Sequence, residues 1–454
     1  MKIHLIAIGG SAMHNLAIAL QDMGFEVTGS DDEFFEPSKT RLKNKGLLPD
    51  KEGWDANRIN DDIDIIILGM HARADNPELV RALELGIKVY SYPEYLYEHS
   101  RDKTRIVIGG SHGKTTITAM IMHVLKDNNV DFDYMVGAQL EGFDTMVKLT
   151  ADAPFMIIEG DEYHSSPIDR RPKFHLYQAN IALISGIAWD HINVFPTFDN
   201  YIEQFRIFVD RLEAGSPLVY NEQDIEVKKI ADSYSRKLHL HPYQIPDYTI
   251  EDGITYIIND EEKIPLKIFG EHNLSNMEGA RIICNLMGIN NKEFYHSISH
   301  FKGAAKRLQL IGKNAETAVY KDFAHSPSKL KATTNAVKKQ YDGRQLIACI
   351  ELHTFSSLNK EFLQGYHGSM IDADEAIVYF NPHTIEQKKL APIYVEDVME
   401  AFGGNNIQVF TDSKLLTAYL FNQNWHNKNL LLMSSGNFDG MDMEGLGAKI
   451  LSAN

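Results

Sequence analysis

The chain has 454 residues, 44% of them hydrophobic and 24% charged, which is typical of a globular protein of two to four domains. Its formal net charge of −17 argues against nucleic acid as a partner, because a phosphate backbone requires a positively charged surface. The chain has only two cysteines, which predicts a protein without a disulfide framework, in a reducing compartment. Its N-terminal apolar stretch ends in a glycine turn rather than a signal-peptide cleavage site, and no apolar run reaches roughly 18 residues. We therefore expect a cytoplasmic protein without membrane segments.

Strands and helices are predicted to alternate over residues 1–100. The apolar patterns indicate strands at 3–8, 26–28, 64–68 and 88–90, and helices at 12–23 and 76–85. Such alternation is typical of a parallel sheet covered by helices. We therefore expect a first α/β domain at residues 1–100.

Two further α/β domains are predicted downstream, at residues 101–311 and 312–454. The first has strands at 105–108, 155–158 and 181–185. Its region at 216–269 is richer in short β-strands, predicted at 217–220 and 254–258. The second has strands at 318–321, 346–350, 375–379, 407–410 and 429–433. The predicted fold is thus an α/β protein of three domains, each built on a largely parallel sheet.

A glycine-rich turn joins the strand at 105–108 to a helix predicted at 117–126. It reads Gly-Gly-Ser-His-Gly-Lys-Thr-Thr, and in this context its backbone N–H groups can bind phosphate oxygens beside a helix N-terminus. Lys114 would supply positive charge and Thr115 a hydroxyl for Mg²⁺. Ile108 stands where the strict pattern has glycine, and a plain glycine turn with a surface lysine is the alternative. The predicted phosphate-binding residues are Gly110, Ser111, His112, Gly113, Lys114, Thr115 and Thr116.

Acidic residues follow the strand at 155–158, in the run Glu159-Gly160-Asp161-Glu162. The carboxyl ends of parallel strands share one edge of a sheet, so this run is expected beside the phosphate loop. Because Mg²⁺ prefers oxygen ligands, we predict that Glu159 binds it together with Thr115; a solvated acidic loop is the alternative. His191 follows the strand at 181–185 and is either a ligand of a second metal, a polarising group or a structural histidine.

Further candidate nucleotide-binding residues lie at the start of a helix that is predicted to end at residue 287, and in the chain that follows this helix. Asn273 and Asn276 are spaced to face the same way, where they either cap the helix or bind an adenine. Arg307 is a candidate for the γ-phosphate. Asp322, which ends a strand, is a candidate for ribose hydroxyls.

Together these motifs resemble the Mur ligase family, which uses ATP to add amino acids or peptides to UDP-N-acetylmuramate. The resemblance spans the chain and rests on six ordered motifs: SHGKTT, EGDE, the DH pair at 190–191, GEHNLSN, KR at 306–307 and DFAHSP. It implies a Rossmann-like UDP-binding domain, a P-loop ATPase-like central domain and a Rossmann-like C-terminal domain that binds the incoming amine. It also implies ATP and Mg²⁺ as cofactors, catalytic roles for Lys114, His191 and Arg307, and a position for His191 near a second metal.

The resemblance extends to the first domain, where 8–13 and 29–31 are similar to the family's UDP-sugar-binding turn and second strand. The implied UDP-sugar ligands are Gly9, Gly10, Ser11, Met13, Asp31 and His71. Glycines at the turn would let a diphosphate approach a helix N-terminus. A structural turn is equally compatible with His71, Asn76 and Pro77.

The incoming amine is the least determined feature. Several branches of the family carry a carbamylated lysine 14 positions after the histidine of the DH pair, and Phe205 stands there. This favours the branches that use L-alanine or the tripeptide L-alanyl-γ-D-glutamyl-meso-diaminopimelate. The runs 161–163 and 433–441 favour the tripeptide of peptidoglycan recycling, which we predict; Glu351-Leu352-His353 is closer to the pattern for L-alanine, the alternative.

Two more distant readings are a nucleotide-sugar oxidoreductase and a non-enzymatic ATP switch. The first rests on the N-terminal glycine turn alone and leaves the second phosphate loop unexplained. The second accepts ATP binding without amide chemistry. The protein is expected to be a monomer or a homodimer.

Overall fold

The computed structural model describes residues 1–189, 194–259, 262–304, 307–403 and 407–452. The chain divides into two compact units. The first comprises 1–187, 196–244 and 279–294, and the second comprises 188–195, 245–278 and 295–454. Within the described ranges, no helix combines the length and the apolar character that crossing a bilayer requires.

The first unit begins with a four-stranded sheet in the order β2-β1-β3-β4, with every pair parallel. Its strands are β1 (Lys2–Ile6), β2 (Glu26–Ser30), β3 (Ile65–Leu68) and β4 (Lys88–Ser91). Its helices are α1 (Ser11–Asp22), α2 (Ser38–Asn44), α3 (Pro77–Glu84) and α4 (Tyr92–His99). The alternation predicted from the sequence is confirmed, although β1 ends two residues early because Ala7 has a positive φ of 68°.

A seven-stranded sheet in the order β11-β10-β9-β5-β8-β6-β7 forms the rest of this unit's framework. Its strands are β5 (Thr104–Gly109), β6 (Phe132–Met135), β7 (Val147–Lys148), β8 (Phe155–Glu159), β9 (Ile181–Ile184), β10 (Pro217–Asn221) and β11 (His239–Tyr243). All neighbours are parallel except β6 and β7. Strand β5 is central, so the loop that follows it opens at the middle of the sheet edge. The helices are α5 (Lys114–Asp127), α6 (Phe198–Asp210) and α7 (Ile225–Ser233).

The second unit contains an antiparallel three-stranded sheet and a six-stranded sheet. The small sheet has β12 (Tyr248–Glu251), β13 (Ile254–Asn259) and β14 (Glu262–Leu266). Two helices, α8 (Glu271–Leu286) and α9 (Asn291–Ile298), each contain a boundary between the units. The strands predicted at 254–258 and 217–220 are both confirmed, but they belong to different sheets. The first is part of β13 in the small sheet, and the second is part of β10 in the seven-stranded sheet.

The six-stranded sheet has the order β15-β16-β20-β17-β18-β19 and is parallel except for the β15–β16 pair. Its strands are β15 (Gln309–Lys313), β16 (Ala318–Asp322), β17 (Gln345–Leu352), β18 (Glu375–Phe380), β19 (Ile407–Phe410) and β20 (Lys428–Met433). Its helices are α10 (Pro327–Gln340), α11 (Lys360–Leu363), α12 (Pro382–Gln387), α13 (Val395–Phe402), α14 (Ser413–Phe421) and α15 (Met443–Ser452). The domain boundary predicted between residues 311 and 312 falls inside β15.

Apolar side chains fill both faces of this sheet. Residues such as Ala348, Ile350 and Met433 pack on one face, and Ile347, Cys349 and Leu432 on the other. Strands buried on both faces are typical of parallel sheets covered by helices. The other cysteine, Cys284, is also a buried free thiol, and burial raises its pKa.

Candidate active site

The glycine-rich turn has the geometry of a phosphate loop. It leaves β5 at Gly109 and enters α5 at Lys114. Gly110 and Gly113 have φ values of 131° and 80°, which side-chain-bearing residues rarely adopt. A Cβ on Gly110 would lie 2.1 Å from the hydroxyl oxygen of Ser185 and 3.0 Å from that residue's backbone nitrogen. Glycine is therefore required at position 110 for both conformation and space.

Neighbouring backbone holds the other predicted residues of the turn. The Ser111 N–H donates to the Gly186 carbonyl at 2.9 Å, and the Ser185 hydroxyl donates to the His112 carbonyl. Thr116 is buried in the first turn of α5. The loop is thus folded against the end of β9.

Lys114 lies in a carboxylate-rich environment. Its Nζ donates to the Gly110 carbonyl at 2.6 Å and to Glu162 Oε2 at 2.7 Å. Burial disfavours the charged lysine, but the negative charges of Glu162, Asp161 and Glu159 outweigh it and raise the pKa of Lys114. The side chain is therefore a cation at neutral pH.

Glu159 and Thr115, the two predicted Mg²⁺ ligands, are in contact. Thr115 Oγ1 donates to Glu159 Oε1 at 2.8 Å, and the Gly137 N–H donates to Oε2 at 2.7 Å. Both are hard oxygen ligands of the kind that Mg²⁺ prefers. Over the described ranges, no group of three or more His, Cys, Asp or Glu side chains is arranged to hold a metal. A cation at this pair would need further oxygen ligands from water or a bound phosphate.

Two buried residues at this site, Glu162 and Tyr201, were missed by sequence reasoning. The Tyr201 hydroxyl donates to Glu162 Oε1 at 2.8 Å and lies 2.9 Å from Ser111 Oγ. The other oxygen of Glu162 is the partner of Lys114. Glu162 belongs to the acidic run at 159–162, so the sequence did indicate an acidic residue in this region. Tyr201 is 39 residues further along the chain, and its contact depends on tertiary structure.

His191 lies outside the described residues, and its predicted metal role stays a prediction. Phe205, the residue found in place of the carbamylated lysine, is fully buried. Its ring centroid is 5.3 Å from that of Tyr201 and 5.4 Å from that of Phe174. The position is therefore filled by an aromatic cluster.

The predicted UDP-sugar residues lie together at the turn after β1. The Gly9 N–H donates to Asp31 Oδ2 at 2.7 Å, and a Cβ on Gly9 would meet that oxygen at 2.8 Å. A Cβ on Gly10 would lie 3.5 Å from His71 Cδ2 and 3.7 Å from Met13 Cγ. Ser11 is the first residue of α1. This turn therefore places small residues at the N-terminus of a helix, with an acidic group beside them.

Asp31 has an unusual protonation equilibrium. Burial and the neighbouring carboxyl group of Asp32 raise the pKa of Asp31 from 3.8 to about 7, while the Gly9 N–H partly opposes the shift. The native state therefore keeps a proton that the unfolded chain has lost between about pH 4 and pH 7. In that interval, this group reduces stability as pH rises.

Hydrogen bonds made by Glu78 and Arg58 hold the loop that carries Asp31 in place. One oxygen of the fully buried Glu78 carboxylate accepts from the Ser30 hydroxyl, and the other accepts from Arg58 NH1 at 3.1 Å. Arg58 also donates to the Gly53 carbonyl at 2.5 Å, and the Gly53 N–H donates to the Asp31 carbonyl at 2.7 Å. Glu78 thus connects the end of β2 to the loop.

Asn76 and Pro77 have structural roles at the start of α3. Asn76 is the N-cap, and its side-chain oxygen accepts from Glu78 N at 2.9 Å and Leu79 N at 3.2 Å. Pro77 occupies the first helical turn, where its missing N–H costs no hydrogen bond. Both residues therefore help to define the start of this helix.

The second unit carries the predicted adenine, ribose and γ-phosphate residues. Asn273 and Asn276 are buried in the first turns of α8, and Asn273 Nδ2 donates to the Phe269 carbonyl at 2.9 Å. Asp322 Oδ2 accepts from Leu308 N at 2.5 Å. Asp322 is therefore bonded directly to the residue that follows Arg307.

Arg307 stacks over an aromatic ring of the DFAHSP motif. Its guanidinium carbon lies 4.5 Å from the Phe323 ring centroid. The Asp322 Oδ1 atom accepts from Ala324 N at 2.6 Å, and His325 Nδ1 lies 2.7 Å from the Phe323 carbonyl oxygen. The predicted γ-phosphate and ribose residues are thus neighbours within this unit.

Another buried carboxylate, that of Glu351, lies at the carboxyl edge of the six-stranded sheet. Glu351 Oε2 accepts from the Ser434 hydroxyl and from Phe438 N at 2.8 Å. His353 Nδ1 lies 3.7 Å from Glu351 Oε1. Burial disfavours the ionised carboxylate, but these donors outweigh it and lower the pKa of Glu351. The ends of β17 and β20 are therefore joined around an anionic group.

The parallel sheets and the phosphate loop at the central strand are those of nucleotide-binding α/β proteins. Residues 2–104 match the Mur ligase family catalytic domain, and residues 108–284 match the Mur ligase middle domain. The chain is 31% identical to a UDP-N-acetylmuramate–L-alanine ligase of Sulfurihydrogenibium sp., over 80% of this chain and 78% of the relative.

Two further comparisons cover the whole chain. It is 26% identical to the UDP-N-acetylmuramate–L-alanyl-γ-D-glutamyl-meso-2,6-diaminoheptandioate ligase of Escherichia coli, over 100% of both chains. Its fold is similar to that of a murein peptide ligase from Psychrobacter arcticus, with a TM-score of 0.62, 23% identity and coverage of 100% of this chain and 98% of the other.

The chain belongs to the Mur ligase family. It is accordingly an ATP-dependent ligase that forms amide bonds. The family predicted from the sequence and the α/β fold with several largely parallel sheets are both confirmed.

Proposed function

We propose that this enzyme uses ATP and Mg²⁺ to join UDP-N-acetylmuramate to the tripeptide L-alanyl-γ-D-glutamyl-meso-diaminopimelate. We also propose that the chain has three domains, at residues 1–100, 101–311 and 312–454. The observation that carries the proposal is the contact between the phosphate loop and two acidic side chains, Glu162 on Lys114 and Glu159 on Thr115. This arrangement supplies a fixed positive charge and a hard-oxygen cation site next to one another. Both are what a triphosphate requires.

The proposed reaction has two steps. The lactyl carboxylate of UDP-N-acetylmuramate attacks the γ-phosphorus of ATP, which gives an acyl phosphate and ADP. The amine then attacks the acyl carbon, and phosphate leaves as the amide bond forms. Because the first step joins two anions, Lys114 and Arg307 are proposed to neutralise the developing charge. Thr115 and Glu159 would hold Mg²⁺, which would supply further positive charge for that neutralisation.

The remaining assignments follow the same reaction. Asn273 and Asn276 are proposed for the adenine, Asp322 for the ribose and His191 for a second metal. Gly9, Gly10, Ser11, Met13, Asp31 and His71 are proposed for the UDP-sugar. The cluster of Glu351, His353 and Ser434 lies at the sheet edge where ligands of parallel sheets collect, and we propose it for the incoming amine.

The tripeptide is favoured by the full-length similarity to the Escherichia coli enzyme. L-Alanine is the second candidate, since the relative at 31% identity is named for it and His353 matches its pattern. The test is phosphate release with ATP, Mg²⁺ and UDP-N-acetylmuramate, with each amine in turn. We expect kcat/KM for the tripeptide to exceed that for L-alanine by at least about 100-fold, since a site built for a larger polar substrate loses several contacts with the smaller one. A preference for L-alanine would contradict the tripeptide assignment.

Asp31 gives this proposal a pH dependence. Its raised pKa of about 7 predicts an ionised fraction of about a tenth at pH 6 and about nine-tenths at pH 8. If the ionised carboxylate accepts hydrogen bonds from the nucleoside, UDP-N-acetylmuramate should bind about tenfold more tightly at pH 8 than at pH 6. Isothermal titration would measure this, and Asp31→Asn should bind weakly at both values. An equal pH response in the variant would contradict the assignment.

A further inference from the structure

A buried hydrogen-bond network connects two residues of the phosphate loop through helix α6. It runs from Ser111 to the Tyr201 hydroxyl, then to Glu162 and back to the loop at Lys114. Because Tyr201 gives its single proton to Glu162, Ser111 is the donor to the Tyr201 oxygen. The network therefore fixes the polarity of each bond along it.

The charge of Glu162 is the unexpected part of this network. The residue is 1% exposed and Tyr201 is fully buried, so little water screens the carboxylate. Its Oε2 lies 2.7 Å from Lys114 Nζ, the atom proposed to meet the phosphates. A carboxylate at this place repels a polyanion, and a neutral side chain would hold the loop without that penalty.

We infer that Glu162 and Tyr201 are positioning residues that fix Lys114 Nζ for phosphoryl transfer, that Glu162 lowers the affinity of the loop for ATP, and that Tyr201 limits this effect. The inference rests on the proposed function, because it requires ATP at this loop. Glu162 directs the ammonium group and balances its charge. The Tyr201 hydroxyl donates a hydrogen bond to the same carboxylate. This bond stabilises part of the negative charge of Glu162, and so limits how strongly Glu162 competes with the phosphates for Lys114.

Packing explains how Tyr201 keeps this position. Its ring makes an edge-to-face contact with Phe205 at 5.3 Å, and Phe205 packs in the same way on Phe174 at 5.4 Å. Such pairs restrict a buried ring to one orientation. Phe205, which stands where several branches of the family carry a lysine, thus supports a hydroxyl that reaches the phosphate loop.

The two residues predict opposite effects on nucleotide affinity. Glu162→Gln removes the repelling charge, and we expect a non-hydrolysable ATP analogue with Mg²⁺ to bind about tenfold more tightly, while kcat falls at least about tenfold because Lys114 loses its fixed position. Tyr201→Phe removes one of the hydrogen bonds that Glu162 accepts, so the carboxylate attracts Lys114 more strongly, and we expect about threefold weaker binding of the analogue. A residue with a purely structural role would not separate affinity from kcat in this way.

Tyr243→Phe is the matched control. The Tyr243 hydroxyl is buried in the same unit and makes no hydrogen bond among the described residues. Its removal should change neither the affinity for the analogue nor kcat. Calorimetric binding and steady-state phosphate release would be measured on all four proteins, with thermal unfolding as a check on folding.

The outcomes distinguish this inference from the proposed function. If wild type does not bind the analogue, the proposed function is contradicted and the inference falls with it. If wild type binds but Glu162→Gln weakens both binding and kcat together with thermal stability, Glu162 is a structural brace and the inference is overturned. Should Glu162→Gln fail to fold, unchanged affinity in Tyr201→Phe would overturn the inference by itself.

Discussion

Replacement of Lys114 by alanine is expected to reduce ATP-dependent phosphate release by at least about a thousandfold, while the affinity for UDP-N-acetylmuramate stays within about twofold. The first effect follows because charge stabilisation of a transferring phosphoryl group is worth about 10²–10³-fold for one good donor, and Lys114 also binds the ground state. The second follows because the proposed sugar ligands lie at the turn after β1, on a different sheet. Phosphate release and calorimetric binding of the UDP-sugar measure the two effects separately.

Lys126→Ala is the control for that experiment. Lys126 lies on the same helix, in its last turn, and its Nζ donates to the Gly142 carbonyl at 2.7 Å. The variant should keep most of the wild-type activity. Equal loss of ATP turnover and of UDP-sugar binding in Lys114→Ala would contradict the separation of the two sites.

Glu159→Gln is expected to lower phosphate release by at least about 100-fold at a Mg²⁺ concentration that saturates wild type. The substitution keeps the size of the side chain and one oxygen, but removes the charge that would attract a divalent cation. Part of the activity should return as Mg²⁺ is raised, because a weakened site fills at higher concentration. The measurement is phosphate release as a function of Mg²⁺ concentration.

Asp161→Asn is the matched control for Glu159→Gln. Asp161 belongs to the same acidic run, but its carboxylate is paired with Lys173 Nζ at 2.6 Å. The Mg²⁺ dependence of this variant should resemble that of wild type. A Glu159→Gln protein with an unchanged Mg²⁺ dependence would contradict the assignment of Glu159 as a ligand.

Most of the strands could be predicted from the sequence because parallel strands are buried on both faces and read as apolar runs. Helix α4 was missed, although its start carries a capping box between Ser91 and Glu94 and a proline in the first turn. Its aromatic composition hides the helical spacing. Strand β15 was also missed, since its five residues alternate weakly and its partner, β16, is antiparallel and follows at once.

The site divides in the same way. The turn at 110–116 and the acidic residue at 159 could be predicted, because a strand, a glycine-rich loop and a helix fix their places locally. The hydrogen bond between Glu162 and Tyr201 could not be predicted, because Glu162 lies in the loop after β8 and Tyr201 lies on α6, far away in the sequence. The anchoring of the Asp31 loop by Glu78 and Arg58 likewise depends on buried charges that no local pattern reveals.

The central claim is that ATP activates the sugar acid as an acyl phosphate. Its most direct test uses UDP-N-acetylmuramate labelled with ¹⁸O in the lactyl carboxylate, with ATP, Mg²⁺ and the tripeptide, and mass analysis of the released phosphate. We predict that the phosphate carries one ¹⁸O atom from a labelled carboxylate for each amide bond formed. Phosphate released without the label, at the rate of amide formation, would contradict the claim.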